Sequence, residues 1–536
     1  MLAYHATGAQ AEGAAMKYTR QNVWNLGNKW ADPILWYARG VKAMQDRPLA
    51  EPTSWRFYAA IHGFNPGLWR QLGYYQPTDQ APSASVVRQF WNQCQHGTWY
   101  FLPWHRGYLL AFEATVRAAV VQAGGPADWA LPYWNYFPPH QAALPAEFAS
   151  PNWPDGADDN PLFVVPRYGP SGDGNVFVPR GYVDLRAVND PRFTGGTHGG
   201  STGFGGPDTG FMHASRTSGR LELQPHNVVH GLVGGARDND QNQPGAMSIP
   251  ESAALDPIFW LHHANIDRLW QAWSKATAGH LDPTDPSWLN GPAGNGDREF
   301  VMPMPDGTSW TYTPGQLTDL QALGYQYDDL APGVAPARPG ERRERLGLPQ
   351  PQPVPALAGA DSTQEEPPVP ADTNVELVGA TGQSVSVSGT DVHSHVQLDS
   401  SMRRKVTTSL SPRLAGAEES APDRVFLNLE NVRGPSDATL FQVYVGVPVG
   451  EDPADHPELL AGTIAPFGMV KASDPDDEHA GQGLTFVLEI TDIVDELHLS
   501  NSFDVDALPV RIVPVNPVPD EQAITIGRIS IFRQGR

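Results

Sequence analysis

Cysteine is almost absent from this chain, which has one, Cys94, among its 536 residues. A single thiol cannot form an intramolecular disulfide, so a secreted scaffold held together by disulfides is excluded. Basic residues are also scarce, because 36 lysines and arginines stand against 59 aspartates and glutamates, a formal net charge of −23. Nucleic acids and anionic membranes would repel such a chain, so neither is expected as a partner.

Long apolar runs are missing as well. No stretch approaches the ~20 consecutive apolar residues that cross a bilayer. Residues 1–17 lack the apolar centre of a signal peptide, so the cytoplasm is the default expectation for location. Export in company with a partner protein remains open.

The composition changes twice along the chain. Residues 1–330 are rich in tryptophan and histidine and contain stretches with helical apolar spacing. These predicted helices are Trp55–His62, Gly107–Ala123, His226–Val233 and Asp256–Ala276. Residues 331–372 are rich in proline and predict an exposed linker. Residues 373–536 contain short apolar runs separated by turn residues, which predicts a β-sandwich.

Six histidines of the N-terminal region are spaced for binding two metal ions. His226 and His230 are four residues apart, which places both rings on one face of a helix, and His263 follows in the next predicted helix. His96 and His105 have His62 upstream. Three neutral imidazoles for each metal ion, without clustered thiolates, suit copper.

The residues around these histidines resemble the two copper signatures of tyrosinases. The first resemblance joins His96 to Phe101–Arg106 (FLPWHR) and Glu113, and the second joins Asp256–Trp260 (DPIFW) to His263. The chain is thereby identified as a member of the type-3 copper proteins, which include tyrosinases, catechol oxidases and hemocyanins. The resemblance implies a mainly α catalytic domain, with a four-helix bundle that holds two copper ions and O2 as the co-substrate.

The resemblance also implies a role for each histidine. His62, His96 and His105 correspond to the ligands of the first copper ion, and His226, His230 and His263 to those of the second. His263 is expected to stack under the substrate ring, whereas His262 lies beside the site without binding copper.

Cys94 stands two residues before His96. In fungal members a Cys-X-His at this place carries a thioether from the cysteine sulfur to the histidine ring, so the resemblance implies the same crosslink here. The crosslink would fix the position of one imidazole and adjust the reduction potential of the copper ion. A free buried cysteine is the alternative.

Glu222 and Asn227 match the residues that, in related enzymes, are proposed to hold a water that deprotonates the phenol. A phenol has a pKa near ~10, and general-base help is typically worth ~10²–10⁴ in rate. The alternative for Glu222 is a helix N-terminal charge favoured by the helix dipole. Phe259 is expected to form a wall of the pocket, and Pro250 its mouth.

Many tyrosinase relatives have a β-rich C-terminal domain that covers the copper site until it is cut away, and residues 373–536 resemble such a shield. Phe467, in the turn-rich segment Ala461–Met469, is expected to be the plug, and a core phenylalanine is the alternative. A protease acting at the arginines of the linker would then activate the chain. These arginines are Arg338, Arg342, Arg343 and Arg345.

The expected function is that of a dicopper oxidase that uses O2 to hydroxylate monophenols and to oxidise o-diphenols to o-quinones. Small phenols are therefore the expected partners. A diphenol-only catechol oxidase, an o-aminophenol oxidase and a hemocyanin-like oxygen carrier are the alternatives. A dinuclear zinc hydrolase is disfavoured, because no bridging carboxylate accompanies the histidines.

Overall fold

The structure is a computed structural model. It describes residues 17–213, 215–277, 279–331, 341–349, 374–411, 422–477, 480–503 and 505–535. The buried apolar residues form two cores, one in the N-terminal domain and one in the C-terminal domain. Most of the predicted linker, Arg338 included, lies outside the described residues.

The N-terminal domain is mainly helical. Its helices are α1 (Asp32–Gln45), α2 (Trp55–His62), α3 (Pro66–Gln71), α4 (Ala84–Phe90), α5 (Phe101–Gln122), α6 (Ala146–Ala149), α7 (Val228–Gly234), α8 (Pro250–Ala253), α9 (Pro257–Ala276), α10 (Pro286–Leu289) and α11 (Leu320–Leu323). A π-helix, Glu222–Asn227, leads directly into α7. Six short strands pair two by two: β1 (Tyr18–Arg20) with β6 (Tyr325–Tyr327), β2 (Thr194–Gly195) with β3 (Gly206–Pro207), and β4 (Phe300–Pro303) with β5 (Ser309–Tyr312). In the part of the chain that is described, no helix is long and apolar enough to cross a membrane.

Local signals set the helix ends. Ser54 caps α2 by accepting a hydrogen bond from the backbone N–H of Phe57. Asp256 caps α9 in the same way, and Pro257 fills its first position. Helix α5 begins at Phe101, before the predicted start at Gly107, because a proline is tolerated in the first turn of a helix.

A buried charge network joins α5 and α9. Asp267 accepts hydrogen bonds from Arg106 at 2.5 Å and from Arg20 at 3.0 Å. Glu113 accepts one from Arg20 at 2.6 Å. All four side chains are buried, so the removal of one would leave an uncompensated charge in the core. The network fixes the two long helices that carry His105 and His263.

The C-terminal domain is built around one eight-stranded antiparallel sheet, in the order β12-β11-β14-β9-β7-β16-β10-β13. Its strands are β7 (Val375–Ala380), β9 (Val392–Leu398), β10 (Arg424–Val432), β11 (Phe441–Val445), β12 (Leu460–Ile464), β13 (Leu484–Glu489), β14 (Ala507–Pro514) and β16 (Arg528–Gln534). A second pair, β8 (Val385–Val387) and β15 (Ile524–Ile526), and the helices α13 (Ser400–Ser409), α14 (Met469–Ser473) and α15 (Thr491–Leu499) complete it.

The predicted fold class, a mainly α catalytic domain followed by a C-terminal β-sandwich domain, is confirmed. Eight of the C-terminal strands belong to one large sheet, and its two end strands, β12 and β13, contact each other, so the sheet curls upon itself. Segment Ala461–Met469, predicted as turn-rich, is a strand as far as Ile464 and then a turn.

Residues 341–349, which lie inside the predicted linker, pack on the C-terminal domain. Leu346 is buried in the core of that domain. Helix α12 (Glu341–Arg345) places Arg342 and Arg345 each 2.8 Å from the buried carboxylate of Asp495. The proline-rich composition predicted exposure here, but the arginines find carboxylate partners and fix this part of the chain.

Candidate active site

The six predicted ligands converge between the long helices. His62 ends α2, His96 lies in the loop before α5, His105 is in α5, His226 is in the π-helix, His230 is in α7, and His263 is in α9. All six are buried. They form two groups of candidate ligands, His62 with His96 and His105, and His226 and His230 with the adjacent pair His262 and His263.

Hydrogen bonds orient four of these rings. His62 Nδ1 donates to Pro250 O at 2.8 Å, His105 Nδ1 to Phe101 O at 2.8 Å, His230 Nδ1 to Met247 O at 2.9 Å, and His226 Nδ1 to Asn227 Oδ1 at 2.8 Å. A ring whose Nδ1–H is donated in this way carries its lone pair on Nε2. The protein therefore sets the tautomer that a metal ligand needs.

The Nε2 atoms of the first group lack a partner within the described residues. Those of His62, His96 and His105 are buried and accept or donate no hydrogen bond there. Buried polar atoms are nearly always satisfied, so three converging unsatisfied nitrogens need an explanation. A metal ion bound to the three lone pairs provides it.

In the second group, the Nε2 atoms of His226 and His230 each lie 3.3 Å from Nε2 of His263. Burial lowers the pKa of His62 to about 4, and burial likewise holds the pKa of the other five rings well below the usual value. The rings are therefore neutral near pH 7, the form that binds metal. This donor set fits two copper ions.

The two groups face each other. The rings of His105 and His263 are stacked, with centroids 4.4 Å apart and planes 15° apart. The rings of His96 and His226 are 5.9 Å apart. Metal ions held by the two groups would thus be neighbours, as a dinuclear centre requires.

His262 also lies in the second group. Its ring is 5.4 Å from that of His226, and neither of its nitrogens has a hydrogen-bond partner in the described part of the chain. His263 is distinguished by its Nε2, which meets the Nε2 atoms of both His226 and His230. The geometry therefore favours His263 as the ligand.

Cys94 is buried and lies between two imidazoles. Its Sγ is 3.4 Å from Nδ1 of His96, within reach of the ring for the predicted crosslink. The same Sγ is 3.2 Å from Nδ1 of His213. His213 follows 119 residues later in an irregular segment, and no local pattern in the sequence connects it with Cys94.

Glu222 and Asn227 lie beside the ligand segments. Both carboxylate oxygens of Glu222 are 2.9 Å from the backbone nitrogen of Gly97, which follows His96. Burial raises the pKa of Glu222 to about 8. Asn227 donates from Nδ2 to Ser218 Oγ at 3.4 Å, and Ser218 also lies near enough to Glu222 to oppose the rise in its pKa. Ser218 thus links the two residues, a contact that the sequence did not reveal.

Phe259 and Pro250 both contact candidate ligands. The ring of Phe259 is 4.2 Å from that of His263 and 5.0 Å from that of His62, so it packs between the groups. Pro250 accepts the hydrogen bond from His62 through its carbonyl oxygen, and its ring lies beside Gly468 of the C-terminal domain.

Phe467 lies over the histidines. Its ring is stacked on that of His230, with centroids 4.4 Å apart, and meets the rings of His96 and His226 edge-on at 5.5 and 5.9 Å. Gly231 permits the close approach of the segment that precedes Phe467, because a Cβ at Gly231 would be 3.0 Å from Cβ of Ala465. The side chain belongs to the site and not to the core of the β-rich domain.

Family models match both domains of the chain. The family model for the common central domain of tyrosinase matches residues 52–168 and 194–276, and a domain of unknown function (DUF7868) matches residues 374–534. The chain is 34% identical over 530 residues to tyrosinase HcTyr1 of Hahella sp. (strain CCB-MM4), covering 96% of this chain and 99% of that one. It is 26% identical over 318 residues to a chloroplastic polyphenol oxidase of Malus domestica, which is 58% of this chain and 49% of that one.

The fold is that of a solved relative. Latent apple tyrosinase is similar with a TM-score of 0.56 and 20% sequence identity, over 97% of this chain and 98% of that one. The match extends through the C-terminal domain. Given a tyrosinase relative that is similar along nearly the whole sequence, and two facing histidine groups that fit copper, this chain belongs to the tyrosinase family of dicopper oxidases.

Proposed function

We propose that this protein uses O2 to hydroxylate monophenols and to oxidise o-diphenols to o-quinones. The observation that carries the proposal of hydroxylation is the buried carboxylate of Glu222, which lies against the segment of His96 and one turn before His226. When bound, the two copper ions supply dioxygen binding and two-electron redox chemistry. The polypeptide supplies ligand geometry, a dry pocket and proton transfer.

The proposed ligands are His62, His96 and His105 for one copper ion and His226, His230 and His263 for the other. Their support is the set of converging Nε2 atoms and the hydrogen bonds that orient four of the rings. Asn227 has a second use in this scheme, because its side-chain oxygen holds His226 while its amide nitrogen faces Ser218.

Glu222 is the proposed proton acceptor for the monophenol, with Asn227 as its helper. A phenol with a pKa near ~10 must lose its proton to bind a metal ion as phenolate. A buried carboxyl with a raised pKa is a better base than an exposed one once it is ionised. An o-diphenol depends less on this help, so Glu222 distinguishes the two reactions.

Phe467 is the proposed plug of a latent form. Its ring occupies the space above His230, where an aromatic substrate would meet the second histidine group. The proposal is supported by the likeness in fold to latent apple tyrosinase, which extends over 97% of this chain. Activation then requires that Phe467 leave the site.

The test is oxygen uptake by the full-length chain and by Phe467→Ala, both loaded with copper, with a monophenol and with the matching o-diphenol. We expect two copper ions per chain in both proteins, and at least a tenfold higher rate in the variant with both substrates. Activity on the diphenol alone would instead indicate a catechol oxidase, and reversible oxygen binding without quinone would indicate an oxygen carrier.

A further inference from the structure

The C-terminal domain holds the segment that leads to Glu222 and His226. This segment runs from Arg216 to Gln224 and contacts strands β12 and β13. The contacts are Thr485 N to Arg216 O at 2.7 Å, Arg220 Nη1 to Glu489 Oε2 at 2.7 Å, and Gln224 Nε2 to Thr463 O at 2.6 Å.

Apolar side chains of this segment are divided between the two domains. Leu221 is fully buried in the core of the catalytic domain. Leu223, two residues later and 4% exposed, belongs to the core of the C-terminal domain. Neither domain alone buries this segment, so its conformation depends on both.

Gln224 stands where the chain changes direction. Its backbone is extended, with φ −138° and ψ 121°, inside the π-helix that carries Glu222, His226 and Asn227. Its side chain is buried, and the amide donates to the carbonyl oxygen of Thr463 at 2.6 Å and, over a longer distance of 3.4 Å, to that of Tyr182 in the catalytic domain. A buried amide that loses its acceptor is costly, so the hydrogen bond to Thr463 stabilises the kink between Glu222 and His226.

We infer that the C-terminal domain, besides blocking the site with Phe467, positions Glu222 and His226 through Gln224. Gln224 is thus a positioning residue for the reaction. The inference rests on the proposed function, in that Glu222 is taken as the base and His226 as a ligand.

Three full-length proteins test this inference, all with Phe467→Ala so that the site is open. One has no other change, the second adds Gln224→Met, and the third adds Gln241→Met. Gln241 is the matched control, because it is also buried, lies outside the ligand segments and accepts from Thr439 of the C-terminal domain at 2.9 Å. Methionine keeps the volume of glutamine but removes the amide donor.

We expect Gln224→Met to accelerate amide hydrogen exchange in peptides covering residues 222–230 by about tenfold, as the loss of one buried hydrogen bond implies. Copper loss to a chelator should accelerate in parallel, and the ratio of monophenol to diphenol rates should fall. Gln241→Met should leave all three unchanged. Equal exchange and equal copper loss in the two methionine variants would overturn the inference.

The outcomes separate this inference from the proposed function. If the Phe467→Ala parent oxidises diphenols but hydroxylates no monophenol, the assignment of Glu222 as base fails, whereas exchange and copper loss still decide the role of Gln224. If Gln224→Met does not fold, Gln224→Asn takes its place, because it keeps the amide on a side chain one methylene shorter. The same two measurements then apply.

Discussion

At the scale of single residues, hydrogen bonds at Nδ1 orient four of the six candidate ligand rings. The Nδ1 atoms of His62, His105 and His230 are committed to backbone carbonyl oxygens, and that of His226 to a side-chain oxygen. The protein thereby directs the opposite nitrogens of His62 and His105 into the first histidine group and those of His226 and His230 into the second. Which oxygen accepts each hydrogen bond depends on the folded position of the backbone, so the spacing of histidines in the sequence does not reveal it.

His262 and His263 are adjacent and both buried, and substitution of each in turn can show which of them binds copper. We expect His263→Gln to hold one copper ion per chain and to lose oxidase activity, because its Nε2 is the one that meets both His226 and His230. His262→Gln should keep two copper ions. Metal analysis of the two variants checks the assignment, and the reverse pattern would make His262 the ligand.

Glu222→Gln tests the proposed base. The substitution keeps the shape and removes the proton acceptor, so the monophenol rate should fall by ~10²–10⁴ while the diphenol rate changes little. Glu251→Gln is the matched control, because burial raises the pKa of Glu251 as well but its side chain is not tied to Gly97. Oxygen uptake in the Phe467→Ala background gives both rates. An equal loss in both variants would place the base elsewhere.

At the scale of elements, the sequence predicted closely two of the helices that carry candidate ligands and misplaced the start of the other two, since α5 begins before Gly107 and His226 lies in a π-helix before α7. Helix α2 has the predicted bounds, and α9 begins one residue after its predicted start, because capping residues and apolar spacing are local signals. Strand β14 contains Pro509, a residue that is unusual in the middle of a sheet, yet Pro509 pairs there with His395. Ser218 and His213 were missed because only tertiary contacts bring them to the site.

The loop that presents Phe467 is held by a buried carboxyl. Asp437 accepts a hydrogen bond from the backbone N–H of Val470 at 2.8 Å. Burial raises the pKa of Asp437 to about 8, and the nearby Glu251 contributes to the same shift. The backbone donors around Gly468 oppose this shift, but burial outweighs them. The carboxyl of Asp437 is therefore protonated at neutral pH.

Asp437→Asn should flatten the pH dependence of stability. In the unfolded chain this carboxyl ionises near pH ~4. In the folded chain it stays protonated up to about pH 8. Asp437 therefore contributes its full share to the free energy of unfolding below pH ~4. This contribution decreases as the pH rises from ~4 to about 8 and does not decrease further above pH 8.

The asparagine variant should gain melting temperature relative to the parent as the pH rises from 5 to 8. Asp506→Asn, at a side chain that is 95% exposed, should show no such trend. Thermal unfolding at a series of pH values measures both. A variant that loses stability relative to the parent at pH 8 would show that the ionised carboxylate is the form that holds the loop.

At the scale of the whole molecule, ion pairs around a buried carboxylate join the catalytic domain to the C-terminal domain. Asp190 of the catalytic domain is fully buried and accepts from Arg424 of the C-terminal domain at 2.9 Å and from its own Arg220 at 3.0 Å. Arg424 and Arg220 also meet Glu489. These arginines hold the pKa values of Asp190 and Glu489 below their usual ranges.

Cutting the connection between residues 331 and 374 should therefore leave the two parts associated and the activity low. Removing one partner of a fully buried ion pair costs ~3–5 kcal/mol. Arg424 is partly buried and its partner Asp190 fully buried, so Arg424→Gln should cost less than this but still let the parts separate after the same cut, with a rise in oxidase activity. Arg528→Gln is the control, because Arg528 pairs with Glu430 inside the C-terminal domain. Size-exclusion chromatography and oxygen uptake before and after cleavage follow both properties. Activation of the parent by cleavage alone would mean that the covalent connection, and not the buried charges, keeps Phe467 over the histidines.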